Sequence, residues 1–149
     1  MKDYAEPRMH TAEHLLNQTM VRLFGCGRAF SSHIERKRSK CDFRFDRALT
    51  AGETAELEKR VNEAVAADLP VTESSMSREE AEGKLDLGRL PEGAGYPLRV
   101  ISIGAYDACP CAGRHVKSTA EIGAFRIISS SYAEGVLRVR FRLVQPTVS

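Results

Sequence analysis

Tryptophan is absent from this 149-residue sequence, and cysteine and histidine occur only four times each. No apolar run approaches the roughly 18 residues that a membrane span needs, so no membrane association is expected. The N-terminus, Met-Lys-Asp-Tyr-Ala-Glu-Pro-Arg, has no apolar h-region, so no secretory signal is expected and a cytoplasmic location is. Charge is also scarce in the net: 22 Lys and Arg against 20 Asp and Glu leave +2. That balance excludes a polybasic tail and an acidic disordered activator, but not a local basic surface. The chain is long enough to bury a core without disulfides, and 42% hydrophobic residues fit a single domain spanning 1–149. Cys26, Cys41, Cys109 and Cys111 are therefore expected as reduced thiols.

Residues 9–24 read as an amphipathic helix, with Leu16, Met20 and Leu23 at helical spacing and Gly25 as a stop. Two strand-like runs follow, at about 28–35 and 40–46, the second alternating Cys41, Phe43 and Phe45 with polar residues. The capping box Thr50-Ala-Gly-Glu53 opens a helix to about Asp68, closed by Pro70. A second box, Ser77-Arg-Glu-Glu80, opens a shorter helix to about Lys84. Gly88–Gly95 reads as a loop and Leu98–Ile103 as a strand. Gly123–Ser131 and Val136–Val144 read as a hairpin around Ala133-Glu134-Gly135. Helices interleaved with hairpins argue an α+β fold, an antiparallel sheet packed with helices.

His10 and His14 are four apart on the first helix, so both side chains leave one face. Cys111-Ala-Gly-Arg-His115 supplies a second pair at equal spacing, in a turn. Three imidazoles and a thiolate are a set that zinc favours. The spacing leaves open whether all four close the site or three bind and a water holds the fourth position.

His10-Thr-Ala-Glu-His14-Leu-Leu, Cys111-Ala-Gly-Arg-His115-Val and Thr119-Ala-Glu-Ile-Gly123 resemble the editing domain shared by alanyl- and threonyl-tRNA synthetases, and its freestanding AlaX forms. The resemblance runs from about residue 8 to 144. It takes in Phe43-Arg-Phe-Asp46, the helix with Glu58 and Asn62, and Ser77-Arg-Glu-Glu-Ala81. It implies a deacylase that hydrolyses the ester of a mischarged tRNA, chiefly serine or glycine on tRNA for alanine, acting on the acceptor end. With no room for an aminoacylation domain, the sequence looks like a short freestanding form. His10, His14, Cys111 and His115 would be the catalytic zinc ligands, one ion per chain, with backbone N–H groups near Gly113 stabilising an oxyanion. Ser31 falls where short relatives place a threonine that recognises the serine hydroxyl, with Ser32 and His33 as neighbours for that role. The Gln-x-Gly-Ser segment of the alanyl enzymes is replaced by Ser31-Ser-His-Ile-Glu-Arg, and Ala112 and Arg114 replace a glycine and a threonine.

Arg36, Lys37 and Arg38, with Lys40, form one basic turn, while Arg138, Arg140 and Arg142 share a face of the last strand. Either set suits phosphates of an acceptor stem, through salt-sensitive contacts that carry no sequence information. A solvated sheet face is the alternative for the arginine strand. Two other functions compete: deacylation of another aminoacyl-tRNA such as serine on tRNA for threonine, and a non-catalytic zinc-stabilised module binding tRNA or a synthetase.

Overall fold

Pro7, whose missing N–H costs nothing in a first helical turn, starts α1, Pro7–Phe24. Gly25, at φ 68°, ends it in the left-handed conformation. The computed structural model describes residues 6–84 and 95–144. Its remaining elements are β1 Ser31–His33, β2 Ser39–Arg44, α2 Ala51–Ala66, β3 Val71–Met76, α3 Arg78–Lys84, β4 Leu98–Ile103 and β5 Asp107–Pro110. A 3₁₀ turn at Thr119–Ile122, β6 Ala124–Ala133 and β7 Val136–Val144 complete them. The expected loop from Gly88 to Gly95 lies, but for Gly95, outside the described residues.

The architecture is α+β, as expected, but its strands divide between two antiparallel sheets. One has the order β1-β2-β7-β6 and the other β3-β4-β5. The strand β3 was not expected. Its burial pattern leaves the four central residues exposed, so it has no alternation to read and is held by backbone pairing with β4. The capping box at Thr50 and Glu53 forms as expected, and Arg47 clamps the Glu53 carboxylate at 2.6 and 2.7 Å. Glu134 and Gly135, both at positive φ, make the two-residue turn between β6 and β7 that suits the twist of paired strands.

The main core lies between the helices and the inner face of the four-stranded sheet. Met9, Leu15, Leu16 and Met20 of α1 and Leu57 and Val61 of α2 meet Phe43, Phe125, Leu137 and Phe141 there. A smaller cluster joins Ala81 of α3 to Leu98 and Val100 of β4. At Phe125 and Ile127 the outer edge of β6 is satisfied by α2 instead of a strand. Asn62 Oδ1 accepts the Phe125 N–H at 2.8 Å and its Nδ2 donates to Phe125 O at 2.9 Å. One turn earlier, Glu58 Oε1 accepts the Ile127 N–H at 2.8 Å.

The Thr119–Gly123 segment is scaffold. The Thr119 hydroxyl donates to Ala64 O at the end of α2 and accepts the Leu69 N–H. Glu121 accepts the N–H groups of Lys117 and Ser118, and Arg8 of α1 donates to the carbonyls of Glu121 and Ile122. These bonds fix the start of α1, where the first of the paired histidines sits.

Candidate metal centre

Successive turns of α1 bring His10 and His14 to one side, and the segment after β5 carries Cys111 and His115 against them. The His10 and His115 rings stack at 4.8 Å and 8°, and the His14 ring meets that of His115 edge-on at 4.5 Å. Ligand atoms of His10, His14 and Cys111 all lie within 4.8 Å of one another, and these three residues form a candidate metal site. His115 Nε2 stands 3.4 Å from Cys111 Sγ, beside that trio. Donors bonded tetrahedrally to zinc are separated by about 3.4–3.8 Å, so the cluster is of the right scale.

Two of the three imidazoles are oriented by hydrogen-bond contacts at Nδ1. His10 Nδ1 donates to Arg114 O at 3.4 Å, since a carbonyl can only accept. His115 Nδ1 lies 2.9 Å from the Thr11 hydroxyl, which also donates to Pro7 O and accepts the Val116 N–H. With the hydroxyl proton on Pro7 O, the imidazole is the donor. His14 Nδ1 is buried with no hydrogen-bond partner among the described residues, 3.6 Å from Asp107 Oδ2. A cation on the opposite ring nitrogen would polarise that N–H and strengthen its attraction to the carboxylate. The donor set and its orientation therefore fit a zinc ion held through Nε2 atoms and a thiolate.

Charge is organised around the same point. Burial alone would raise the Asp107 carboxyl, but His14 and Arg28 hold it down at about 2. Arg28 bonds Asp107 at 2.7 Å and Gln18 donates to the same oxygen at 2.8 Å. Burial pushes His115 down to about 2, helped by His14 and His10, and lowers His10 too, so both rings are neutral with a lone pair for a metal. Burial acts against a charge on His14 as well, but Asp107, Cys111 and Glu13 outweigh it and draw its pKa well up.

The turn that carries the thiol is held from below. Arg99 of β4 donates to Cys111 O at 2.6 Å and Gly113 O at 2.9 Å. At Gly113 a Cβ would lie 1.7 Å from His10 Cε1, so the ring of His10 occupies the space a side chain would need. The Gly113 N–H, an expected oxyanion donor, points to Cys111 Sγ at 3.3 Å.

Ser32, not Ser31, is the serine beside the cluster. Ser32 pairs with buried Cys41 and donates to Glu13 Oε2 at 3.0 Å; Ser31 and His33, one residue to either side, are exposed on the other face. Arg36, Lys37 and Arg38 lie in the exposed turn between β1 and β2, as expected. Arg138 is committed to Asp42 at 2.7 and 2.9 Å, and Arg140 donates to Ser129 and Ser131. All four cysteines are free. Residues the sequence reading passed over are Glu13, Asp107, Arg28, Thr11 and Arg99. Two had a signal: Glu13 adjoins His14, and Asp107 opens the segment that ends at His115.

The sequence that builds this cluster has relatives among known proteins. Residues 98–140 match the family described as "Threonyl and Alanyl tRNA synthetase second additional domain". Over 143 residues, 91% of this chain, the sequence is 36% identical to the alanine–tRNA ligase of Neisseria meningitidis serogroup C (strain 053442). The corresponding enzyme of Exiguobacterium sibiricum is 37% identical over 123 residues, and that of Coxiella burnetii (strain Dugway 5J108-111) 36% over 135. These alignments cover 82% and 89% of this chain. The chain is thus homologous to alanyl-tRNA synthetase over about nine-tenths of its length, but spans only 14–16% of the length of these relatives. No helix among the described residues is long and apolar enough to cross a membrane.

Proposed function

We propose that this domain is a zinc-dependent aminoacyl-tRNA deacylase of the AlaX type that cleaves the ester of mischarged tRNA, serine on tRNA for alanine first and glycine second. The observation that carries the reading is the convergence of His10, His14 and Cys111 on one point, in a chain homologous to alanyl-tRNA synthetase. His115 completes the proposed ligand set. The reading holds whether the domain acts alone or within a longer chain.

Zinc held there would polarise the ester carbonyl or lower the pKa of an attacking water. The chain's own residues set the geometry. Arg99 fixes the turn of Cys111 and Gly113, Thr11 and Arg114 O orient two of the rings, and bare Gly113 lets His10 close on the backbone. An ester needs less activation than an amide, so placing it against the cluster supplies much of the rate. Ser32 keeps two lone pairs while donating to Glu13, and these suit the hydroxyl of a seryl group. Such selectivity is worth having because an alanine pocket rejects glycine or serine by only about 1–3 kcal/mol. Arg36, Lys37 and Arg38 would meet phosphates of the acceptor stem.

A deacylation panel tests the reading: Ser-, Gly- and Ala-tRNA for alanine, with wild type and Cys111→Ala, alongside metal analysis. Wild type is expected to carry zinc and clear Ser-tRNA while sparing Ala-tRNA. Cys111→Ala should lose zinc and drop in rate by on the order of 100-fold or more. Full activity of metal-free protein would remove zinc from the reaction, and no hydrolysis of any mischarged tRNA would overturn the enzyme.

A further inference from the structure

Glu13 is a carboxylate with one half anchored and the other half open toward the metal cluster. Its side chain is only 12% exposed. Oε2 accepts from Asn17 Nδ2 at 3.0 Å and from Ser32 Oγ at 3.0 Å. Asn17 is itself buried, and its Oδ1 accepts the Ala29 N–H, so the carboxylate is held by a rigid amide on one side and a strand hydroxyl on the other. Both holders are neutral. Among the described residues no Lys or Arg comes within ion-pair distance of Glu13, and Oε1 accepts no hydrogen bond. The nearest charged partner of Oε1 is His14 Nε2, at 3.9 Å.

A carboxylate oxygen that neutral holders leave open is best met by a cationic donor, which makes the stronger, charge-assisted bond. Glu13 is not one of the trio whose ligand atoms lie within 4.8 Å of one another, and its Oε1, 3.9 Å from His14 Nε2, stands at the edge of that cluster. An aminoacyl ester of adenosine carries one cationic group near its reactive carbon, the α-ammonium, attached to the carbon that bears the ester carbonyl. Seating that ammonium on Oε1 beside His14 would bring the carbonyl to the cluster. In a seryl ester the hydroxyl sits on the adjacent carbon, and Ser32 Oγ is bonded to the other oxygen of the same carboxylate.

We propose that Glu13 holds the α-ammonium of the bound aminoacyl group, so that a free amine is a requirement of the site. This rests on the deacylase reading, and it adds a specificity-determining residue that lies outside the His/Cys set.

The test uses two hydrolysis-resistant ligands, the seryl amide of 3′-amino-3′-deoxyadenosine and its N-acetyl derivative, which lacks the positive charge. Their binding to wild-type and Glu13→Gln protein is measured by calorimetry, with zinc content and thermal melting followed in parallel. Wild type is expected to prefer the free amine by about tenfold or more, the scale of one charge-assisted hydrogen bond. Glu13→Gln should level the two affinities while keeping its zinc and its fold. Equal wild-type affinities overturn the assignment without any variant. A preference retained by Glu13→Gln overturns it too, and so does loss of zinc from that variant, which would make Glu13 a metal ligand. If neither ligand binds and wild type hydrolyses no aminoacyl-tRNA, the deacylase reading falls with it; hydrolysis without amine preference sinks only the role of Glu13.

Discussion

The four-stranded sheet turns three fully buried phenylalanines toward the apolar faces of two helices. The far end of the three-stranded sheet rests on Ala81, Leu98 and Val100, with Met76 at the margin. The ligand pairs divide along the same line. His10 and His14 come from the helix seated in the large core, whereas Cys111 follows β5, whose last residue, Pro110, pairs with Val100 of the smaller cluster. Cys111 N–H even reaches back to Arg99 O, between Leu98 and Val100. The difference teaches where each half gets its rigidity. The helix pair is positioned by apolar burial, and the thiol turn by directed polar bonds from Arg99 and Gly113. A metal joining the two halves would tie the segment after β5 to the helix seated in the larger core.

The contrast can be broken most directly by emptying the larger core. Phe141→Ala, at a fully buried position of β7, is expected to cost about 4 kcal/mol in denaturant unfolding and to loosen every element together. Leu98→Ala is the matching change in the smaller cluster. It should cost about 2 kcal/mol, at the low end for such a truncation, because its cluster among the described residues is small. Hydrogen exchange sharpens the point: amides of β4 and β5 should gain opening in Leu98→Ala while those of β2 and β7 keep their protection. Equal loss of protection in both sheets would show that they unfold as one unit.

The smallest effect concerns the exposed cap of α2, on the well-packed side. Arg47 chiefly, and the Thr50 N–H after it, hold the Glu53 carboxyl at about 2, below its usual 4.5. A carboxylate depressed in the folded state stabilises the fold fully above pH 4.5 and loses that contribution as pH falls through 2. Thermal melts between those limits should therefore fall more steeply for wild type than for Glu53→Gln. Added salt should shrink the difference, since the pair faces solvent.

Much of this was legible in the sequence, for local reasons. Four-residue spacing puts His10 and His14 on one face of any helix, and the box at Thr50 and Glu53 needs only three residues of chain. What was not legible depends on partners distant in sequence. Nothing in Val-Thr-Glu-Ser-Ser-Met marks 71–76 as a strand, because its partner β4 supplies the bonds. Ser31 and Ser32 are indistinguishable until pairing with β2 sets the register, and a shift of one residue exchanges the faces. Asp107 and Glu13 read as ordinary acids until burial and partners 93 and 19 residues away in sequence give them His14 and Ser32.

The side chains of Glu58 and Asn62 have a consequence beyond holding β6. A long outer strand with open amides invites a second chain to add itself, which is how sheets propagate into aggregates. By occupying Phe125 and Ile127, α2 plays the part of a fifth strand that cannot itself be extended. The bulge between Ile127 and Ser129 then breaks the regular spacing further along. Over that stretch of the longest described strand, a second chain finds the edge already taken.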